Sequence, residues 1–261
     1  MNLIDVTILA IVEGITEFLP ISSTGHMILA SHILQVPQSK ILATFEIAIQ
    51  IGPILAVAFL YYKKLFSQKA LFYKACIGFI PTGILGAILY PKIKGLLGSE
   101  YVTVAALLIG GIAILIIEWY LQYSNNDKRN STKDISGLSY KDAMSIGLIQ
   151  SISMVPGVSR SAASIFGGML LNLDRKSAVE FSFILAIPTM VAATALDVFK
   201  SRSSFTFQTD IYLLMVGILL SFVIGLVVVK WLLRYVQSNN FFWFGVYRII
   251  FALIYAFLFL R

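Results

Sequence analysis

"EGITEFLPISSTGHMIL" (residues 13–29) and "QSISMVPGVSRSAASIF" (residues 150–166) align without a gap, and the way the two are read decides how the chain is built. Each is apolar at its ends and interrupted in the middle. Proline removes a backbone donor and glycine admits unusual backbone, so "LPISSTG" and "VPGVSRS" should each unwind the helix around them. In the alignment Ile15 meets Ile152, Ile21 meets Val158, Ser22 meets Ser159 and Thr24 meets Ser161. The likeness continues downstream. "FEIAIQIGPILA" (45–56) parallels "VEFSFILAIPTMVA" (179–192), each with an early glutamate (Glu46, Glu180) and a later proline (Pro53, Pro188).

The rest of the chain is written for a bilayer. Of its 261 residues 58% are hydrophobic and 13% charged, with mean hydropathy +0.86. Soluble domains carry about 25% charged residues. The net charge of +7 could suggest nucleic acid, but the basic residues sit in short runs between apolar stretches, as the flanks of membrane spans do. Nucleic acid is therefore not the expected partner. The single cysteine, Cys76, excludes an intrachain disulfide and reads as a small packed hydrophobe. The N-terminal "MNLIDVTILA" has no basic residue, so no cleaved signal peptide is expected.

A span takes about 20 mainly apolar residues. Residues 42–61, 101–121, 178–199, 211–229 and 241–260 meet that length, and 75–90 would need its flanks. The broken stretches 3–34 and 143–171 read as re-entrant hairpins, since irregular backbone at membrane depth survives only in protein or beside water; kinked full spans are the alternative. The expected fold is an all-α polytopic membrane protein, a single integral membrane domain of six spans and two re-entrant hairpins. Two halves, about 1–122 and 143–261, are joined by a polar linker at 123–142. Each half holds one hairpin and three spans, an odd number of crossings, so the repeat is inverted. Loops 62–74, 122–142, 172–177 and 230–240 hold twelve Lys/Arg against six on the other side, which places the linker in the cytoplasm and both termini outside.

The polar residues gather in the two breaks. Glu13 and Glu17 are four apart and share a helix face. At membrane depth each carboxylate costs about 2.5–3.5 kcal/mol, so a metal ion, a basic side chain or protons must offset the pair unless it snorkels to the interface. Ser22, Ser23 and Thr24 lie at the turn, where hydroxyls can simply cap the next helix. His26 follows, within reach of them and suited to proton transfer. His32 has no such company and reads as interfacial. The second break carries Arg160 where the first has Ser23, while Met154 and Ala163 stand where Glu17 and His26 would be. Either the glutamates satisfy Arg160 as a buried ion pair, or both sets face an anion. In the second case Ser159, Ser161 and N–H groups after the Gly157 turn would join the guanidinium on phosphate oxygens. Metal-assisted phosphoryl transfer and anion or proton-coupled transport both suit these parts. A Ser/His intramembrane protease would give Glu13, Glu17 and Arg160 no task. Glu46, Glu180 and Asp197 stay outside the catalytic set, the first two read as capping or pairing across the pseudo-twofold axis.

At "EGITEFLPISSTGH" and "PGVSRSAAS" the sequence resembles the bacterial undecaprenyl-diphosphate phosphatase (bacitracin-resistance) family, and "EFSFILAIPTMVAATALD" (180–197) fits as well. The likeness covers essentially the whole chain. One departure is Ser164, where the second motif usually ends in threonine; it keeps a hydroxyl. The resemblance implies hydrolysis of a long-chain prenyl diphosphate to its monophosphate, recycling the carrier for peptidoglycan synthesis and conferring bacitracin resistance. It also implies a divalent cation, Mg²⁺ or Ca²⁺, and a site facing the outside of the plasma (inner) membrane. Carried over, Glu13 and Glu17 would hold the metal or orient the attack, Ser23 is the candidate nucleophile and His26 its proton-transfer partner, with His26 itself or water as alternatives. Arg160 clamps the diphosphate with Ser159, Ser161, Gly157, Ser22 and Thr24. A flippase or transporter on the same repeat stays open at this point, as does a homo-oligomer. The phosphatidic-acid-type phosphatases, whose second motif is followed by an attacking histidine, are excluded because no histidine follows Arg160.

Overall fold

The computed structural model describes residues 1–37, 40–96, 99–126, 132–201 and 209–260. Among these residues every regular element is helical, apart from one isolated bridge between Lys133 and Leu173. The first interrupted stretch forms α1 (Leu3–Thr16) and α2 (Ser23–Ile33). Between them the Leu19–Pro20 pair disfavours helix, because the residue before proline is pushed towards extended backbone. Helix α2 restarts at Ser22, whose hydroxyl accepts from Gly25 N–H at 3.3 Å. Ser22 sits at φ 73°, a left-handed conformation for a residue with a side chain. Such strain costs about 1–3 kcal/mol and persists where surrounding structure enforces it.

Four further helices, α3 (Lys40–Ile49), α4 (Ile51–Ser67), α5 (Lys69–Leu96) and α6 (Glu100–Asn126), lead to the second interrupted stretch. There α7 (Tyr140–Gln150), a 3-10 turn (Ser151–Met154) and α8 (Arg160–Leu170) follow one another. Gly157, at φ 91°, makes the turn, and a Cβ there would lie 2.4 Å from the Thr103 carbonyl of α6. Only glycine meets both conditions. Ser159 caps α8 through Ala162 N–H at 3.1 Å. Helices α1, α2, α7 and α8 have 14, 11, 11 and 11 residues. At about 1.5 Å per residue each is well short of the ~30 Å hydrocarbon core.

Long helices complete the chain: α9 (Arg175–Ser201), α10 (Thr209–Ser238) and α11 (Phe242–Phe259). Six stretches are long and apolar enough to cross a membrane: Leu42–Ser67, Lys69–Leu89, Glu100–Tyr123, Arg175–Leu196, Ile211–Ser238 and Phe242–Phe259. These are the six expected from sequence, and the short 75–90 candidate gains its missing length from its N-terminal flank. The first is interrupted at Gln50. Pro53 has no N–H to give the Ile49 carbonyl and would clash with it in an unbroken helix. Ser221 of α10 takes over that carbonyl at 2.9 Å.

Helix α1 packs on α10 and α7 on α5, while α4 meets α10, α9 meets α5, and α6 lies along α11. Glycines set the closest approaches. A Cβ at Gly147 of α7 would fall 1.7 Å from the Gly78 carbonyl of α5, an interface of the small-residue kind common between membrane helices. Phe18, Ile165, Phe181, Phe183 and Ile184 form a fully buried core directly beneath the two turns. Large apolar side chains such as Ile88, Ile116, Leu219 and Phe257 point outward, as a hydrocarbon solvent requires.

Candidate active site

The two turns meet. Arg160 at the start of α8 donates through Nη2 to Glu17 Oε1 at 2.7 Å, and Ser23 at the start of α2 donates to Glu17 Oε2 at 2.6 Å. Arg160 Nη1 also donates to the Ser182 carbonyl of α9 at 3.2 Å, and its guanidinium lies 5.2 Å from the centre of the Phe18 ring. The Leu19 carbonyl, which lies in the turn outside helix, accepts from Ile21 N–H at 2.8 Å, from Ser161 Oγ at 2.7 Å and from Ser159 Oγ at 3.4 Å. One turn therefore completes the hydrogen bonding of the other. The first N–H groups of α2 and α8 have no intrahelical acceptor and carry the positive helix ends into this region.

Glu13 lies one helical turn before Glu17 and is fully buried, and neither of its carboxylate oxygens has a hydrogen-bond partner among the described residues. No cluster of three His, Cys, Asp or Glu placed to hold a metal exists among them either. The donor set nevertheless fits a hard divalent cation, which can be held by one or two carboxylates and complete its shell with substrate oxygens and water. Glu13 is the carboxylate free to take one; Glu17 is already shared between Arg160 and Ser23.

His26 faces elsewhere. A carbonyl can only accept, so the 2.8 Å contact to the Ser22 carbonyl puts the hydrogen on Nδ1. In the neutral ring Nε2 then accepts from the Tyr247 hydroxyl at 2.7 Å. The imidazole is stacked on Phe251 at 4.1 Å. It is Glu17, not His26, that receives the Ser23 proton donor. Thr24 is partly exposed at the same helix start. Gly157 is turned into α6 rather than towards Arg160. Ser164 bonds Ser182 at 2.6 Å and ties α8 to α9.

Outside the cluster, Glu180 does not pair with Glu46. It pairs with Lys64 of α4, while Glu46 keeps Oε1 buried without a partner among the described residues. The side chain of Asp197 lies outside the described residues. His32 is exposed and meets Glu100 at 3.0 Å. Glu118 holds Arg175 through both oxygens and also accepts from Phe241 N–H at 2.9 Å.

Two residues that touch the site belong to no motif. Tyr247 is one, and Arg248, 1% exposed in the middle of α11, is the other. Arg248 Nη1 donates to the Pro20 carbonyl at 3.3 Å, and Nη2 donates to the carbonyls of Gly157 at 2.9 Å and Ala106 at 3.1 Å. A rule applied to Glu46 and Glu180 would have found it: an ionisable residue inside an apolar span is a functional candidate by default.

Fold and site together define a class: a multi-pass helical membrane protein with an acid, hydroxyl and guanidinium cluster enclosed where two interrupted helices meet. The chain belongs to the family described as bacitracin resistance protein BacA, which matches residues 6–254. It is 48% identical over 255 residues to an undecaprenyl-diphosphatase of Sulfurihydrogenibium sp. (strain YO3AOP1), covering 98% of both chains. It is 47% identical over 254 residues to an undecaprenyl-diphosphatase of Aquifex aeolicus (strain VF5), covering 97% of both.

Proposed function

We propose that this chain hydrolyses undecaprenyl diphosphate to undecaprenyl phosphate and inorganic phosphate, recycling the lipid carrier for peptidoglycan synthesis and so conferring bacitracin resistance. The observation that carries the reading is the Arg160–Glu17–Ser23 chain, which joins a phosphate-binding fork, a base and a nucleophile across the two turns. An entering diphosphate draws Arg160 onto its oxygens and releases Glu17 Oε1. Glu17 takes the Ser23 proton as Oγ attacks the terminal phosphorus. The bond from that phosphorus to the bridging oxygen breaks, and its electron pair leaves with undecaprenyl phosphate. Water, giving its proton to His26 Nε2 once Tyr247 has turned away, then attacks the phosphoserine phosphorus; the P–Oγ bond breaks, its electron pair returns to Ser23 Oγ, which takes back the proton held by Glu17, and phosphate is freed. N–H groups of Ser23, Thr24, Arg160 and Ser161 line the oxyanion positions, with Ser22 and Ser159 fixing the two helix starts. Glu13 and Glu17 would hold a divalent cation, Mg²⁺ or Ca²⁺, which when bound neutralises diphosphate charge.

The architecture belongs to the same proposal. The chain is read as two inverted halves, 1–122 and 143–261, with α1–α2 and α7–α8 as re-entrant hairpins. In support, α2 and α8 start at Ser23 and Arg160, residues matched in the gapless alignment, each behind a capping serine. The packing of α1 on α10 and α4 on α10 is echoed by α7 on α5 and α9 on α5. Loop charge places the linker in the cytoplasm and the active site towards the outer face of the inner membrane. The prenyl tail stays among the outward-facing apolar side chains. Transport is not favoured, since the relatives carry the name of a hydrolase.

The test is phosphate release from a long-chain prenyl diphosphate by purified protein, with and without Mg²⁺ or Ca²⁺, beside Arg160→Ala. Metal-dependent release that the variant lacks is expected. No release by folded wild-type protein would sink the reading.

A further inference from the structure

Arg248 stands in an unusual position for an intramembrane arginine. It is 1% exposed, in the middle of α11, and no carboxylate lies within 4 Å of it among the described residues. Charged residues in spans are ordinarily paired with each other or with backbone carbonyls. Arg248 uses carbonyls alone: those of Pro20, Gly157 and Ala106, and that of Leu107 through Nε at 3.4 Å. The pattern is specific. Pro20 belongs to the first turn, Gly157 to the second, and Ala106 and Leu107 to the helix against which both turns lie. The neighbouring helix is cut away to admit the side chain: a Cβ on Gly110 would fall 2.2 Å from Arg248 Nη2, and one on Gly111 3.2 Å from Arg248 Cβ.

Two of the carbonyls it takes have been freed by a break, and the other two belong to the unbroken helix α6. Pro20 and Gly157 lie where helix has stopped, so neither oxygen has an intrahelical donor, and an unpaired buried carbonyl costs about 1–3 kcal/mol. Pro20 adjoins Leu19, whose carbonyl is held by Ser159 and Ser161. Gly157 is three residues before Arg160. One rigid guanidinium therefore spans the gap between the strand of chain that carries Glu17 and Ser23 and the one that carries Arg160.

We propose that Arg248 is a positioning residue for the hydrolysis. By holding the Pro20 and Gly157 carbonyls on one planar fork, it sets the separation of the Glu17–Ser23 side from the Arg160 side without touching the substrate. The inference rests on the phosphatase reading above and adds a residue to it. Lysine cannot substitute, because one ammonium lacks the fixed fork that reaches both carbonyls.

The experiment compares wild type, Arg248→Lys, Arg248→Met and Gly110→Ala in detergent, each quantified for folded fraction by size exclusion and thermal melting. Phosphate release from a long-chain prenyl diphosphate gives kcat and KM, and guanidinium chloride at low millimolar concentration is added to Arg248→Met as a chemical rescue. Expected are a fall in kcat of about 100-fold or more per folded molecule in Arg248→Lys, KM within about threefold, and partial recovery of Arg248→Met with guanidinium. Gly110→Ala keeps the arginine but displaces it, and is expected to lower kcat in the same way. The proposal is overturned if folded Arg248→Lys keeps wild-type kcat, if losses merely follow the folded fraction, or if Gly110→Ala turns over normally while the Arg248 variants do not. Failure of the phosphatase reading would look different: wild type itself would release no phosphate.

Discussion

Both oxygens of Glu17 are engaged, one by Arg160 and one by Ser23, and in the proposed hydrolysis this carboxylate is at once the partner of the phosphate-binding group and the base for the nucleophile. Glu17→Gln keeps the shape but loses the base, and turnover should fall by about 100- to 10,000-fold, read as phosphate release per folded molecule. Arg160→Ala leaves Glu17 buried beside unpartnered Glu13. Breaking a buried ion pair by removing one member costs about 3–5 kcal/mol, so melting temperature should drop along with activity. Adding Glu17→Gln to Arg160→Ala should recover much of the melting temperature and none of the turnover; if the double variant melts no higher than Arg160→Ala, the pair is not what holds this corner together. His26→Ala should abolish turnover as well, although it leaves the Glu17–Ser23 contact in place. Most of these residues were legible in the sequence, because fourteen positions from Glu13 to His26 concentrate groups that a bilayer penalises. Arg248 was legible too, but by subtraction rather than motif. Of the twenty Lys and Arg, eighteen fall between the apolar stretches of the sequence or at the C-terminus, and the two left over are Arg160 and Arg248.

At the scale of the element, glycine and proline positions carry the argument. Gly147 and Gly157 both forbid a Cβ, for different reasons. At Gly147 a methyl group would meet the Gly78 backbone and force α7 off α5; Gly147→Ala should therefore lower the melting temperature while folded molecules keep near-normal kcat. At Gly157 the backbone is left-handed, and the methyl group would press on Thr103 at the edge of the site. Gly157→Ala should lower kcat more than it lowers stability, because the displaced carbonyl is one that Arg248 holds. Equal effects of the two substitutions on kcat would remove the distinction. The breaks themselves were readable from Pro20 and from Pro156–Gly157, yet the interruption at Gln50 was not anticipated, although Pro53 implied it three residues on. Apolar periodicity hid it: the stretch 42–61 has enough hydrophobic length to span whether or not one hydrogen bond is missing.

The whole molecule follows from counting. Six stretches among the described residues are long and apolar enough to cross because length and hydropathy are additive along the chain, and no tertiary detail is needed to see them. The pairing of glutamates across the halves was a different matter. Glu46 and Glu180 occupy like positions in the sequence, but Lys64 sits beside only one of them, and a contact between distant helices leaves no trace in local pattern. Handedness of insertion is the remaining global property, and it can be tested on single-cysteine proteins made in a Cys76→Ser background. Ser136 lies in the linker and Pro37 in the loop after α2, and both are exposed. With the linker in the cytoplasm, an impermeant maleimide applied to intact cells should label Pro37→Cys and spare Ser136→Cys, which reacts only after the membrane is opened. Labelling of Ser136→Cys in intact cells would invert the chain and turn the α1–α2 hairpin towards the cytoplasm.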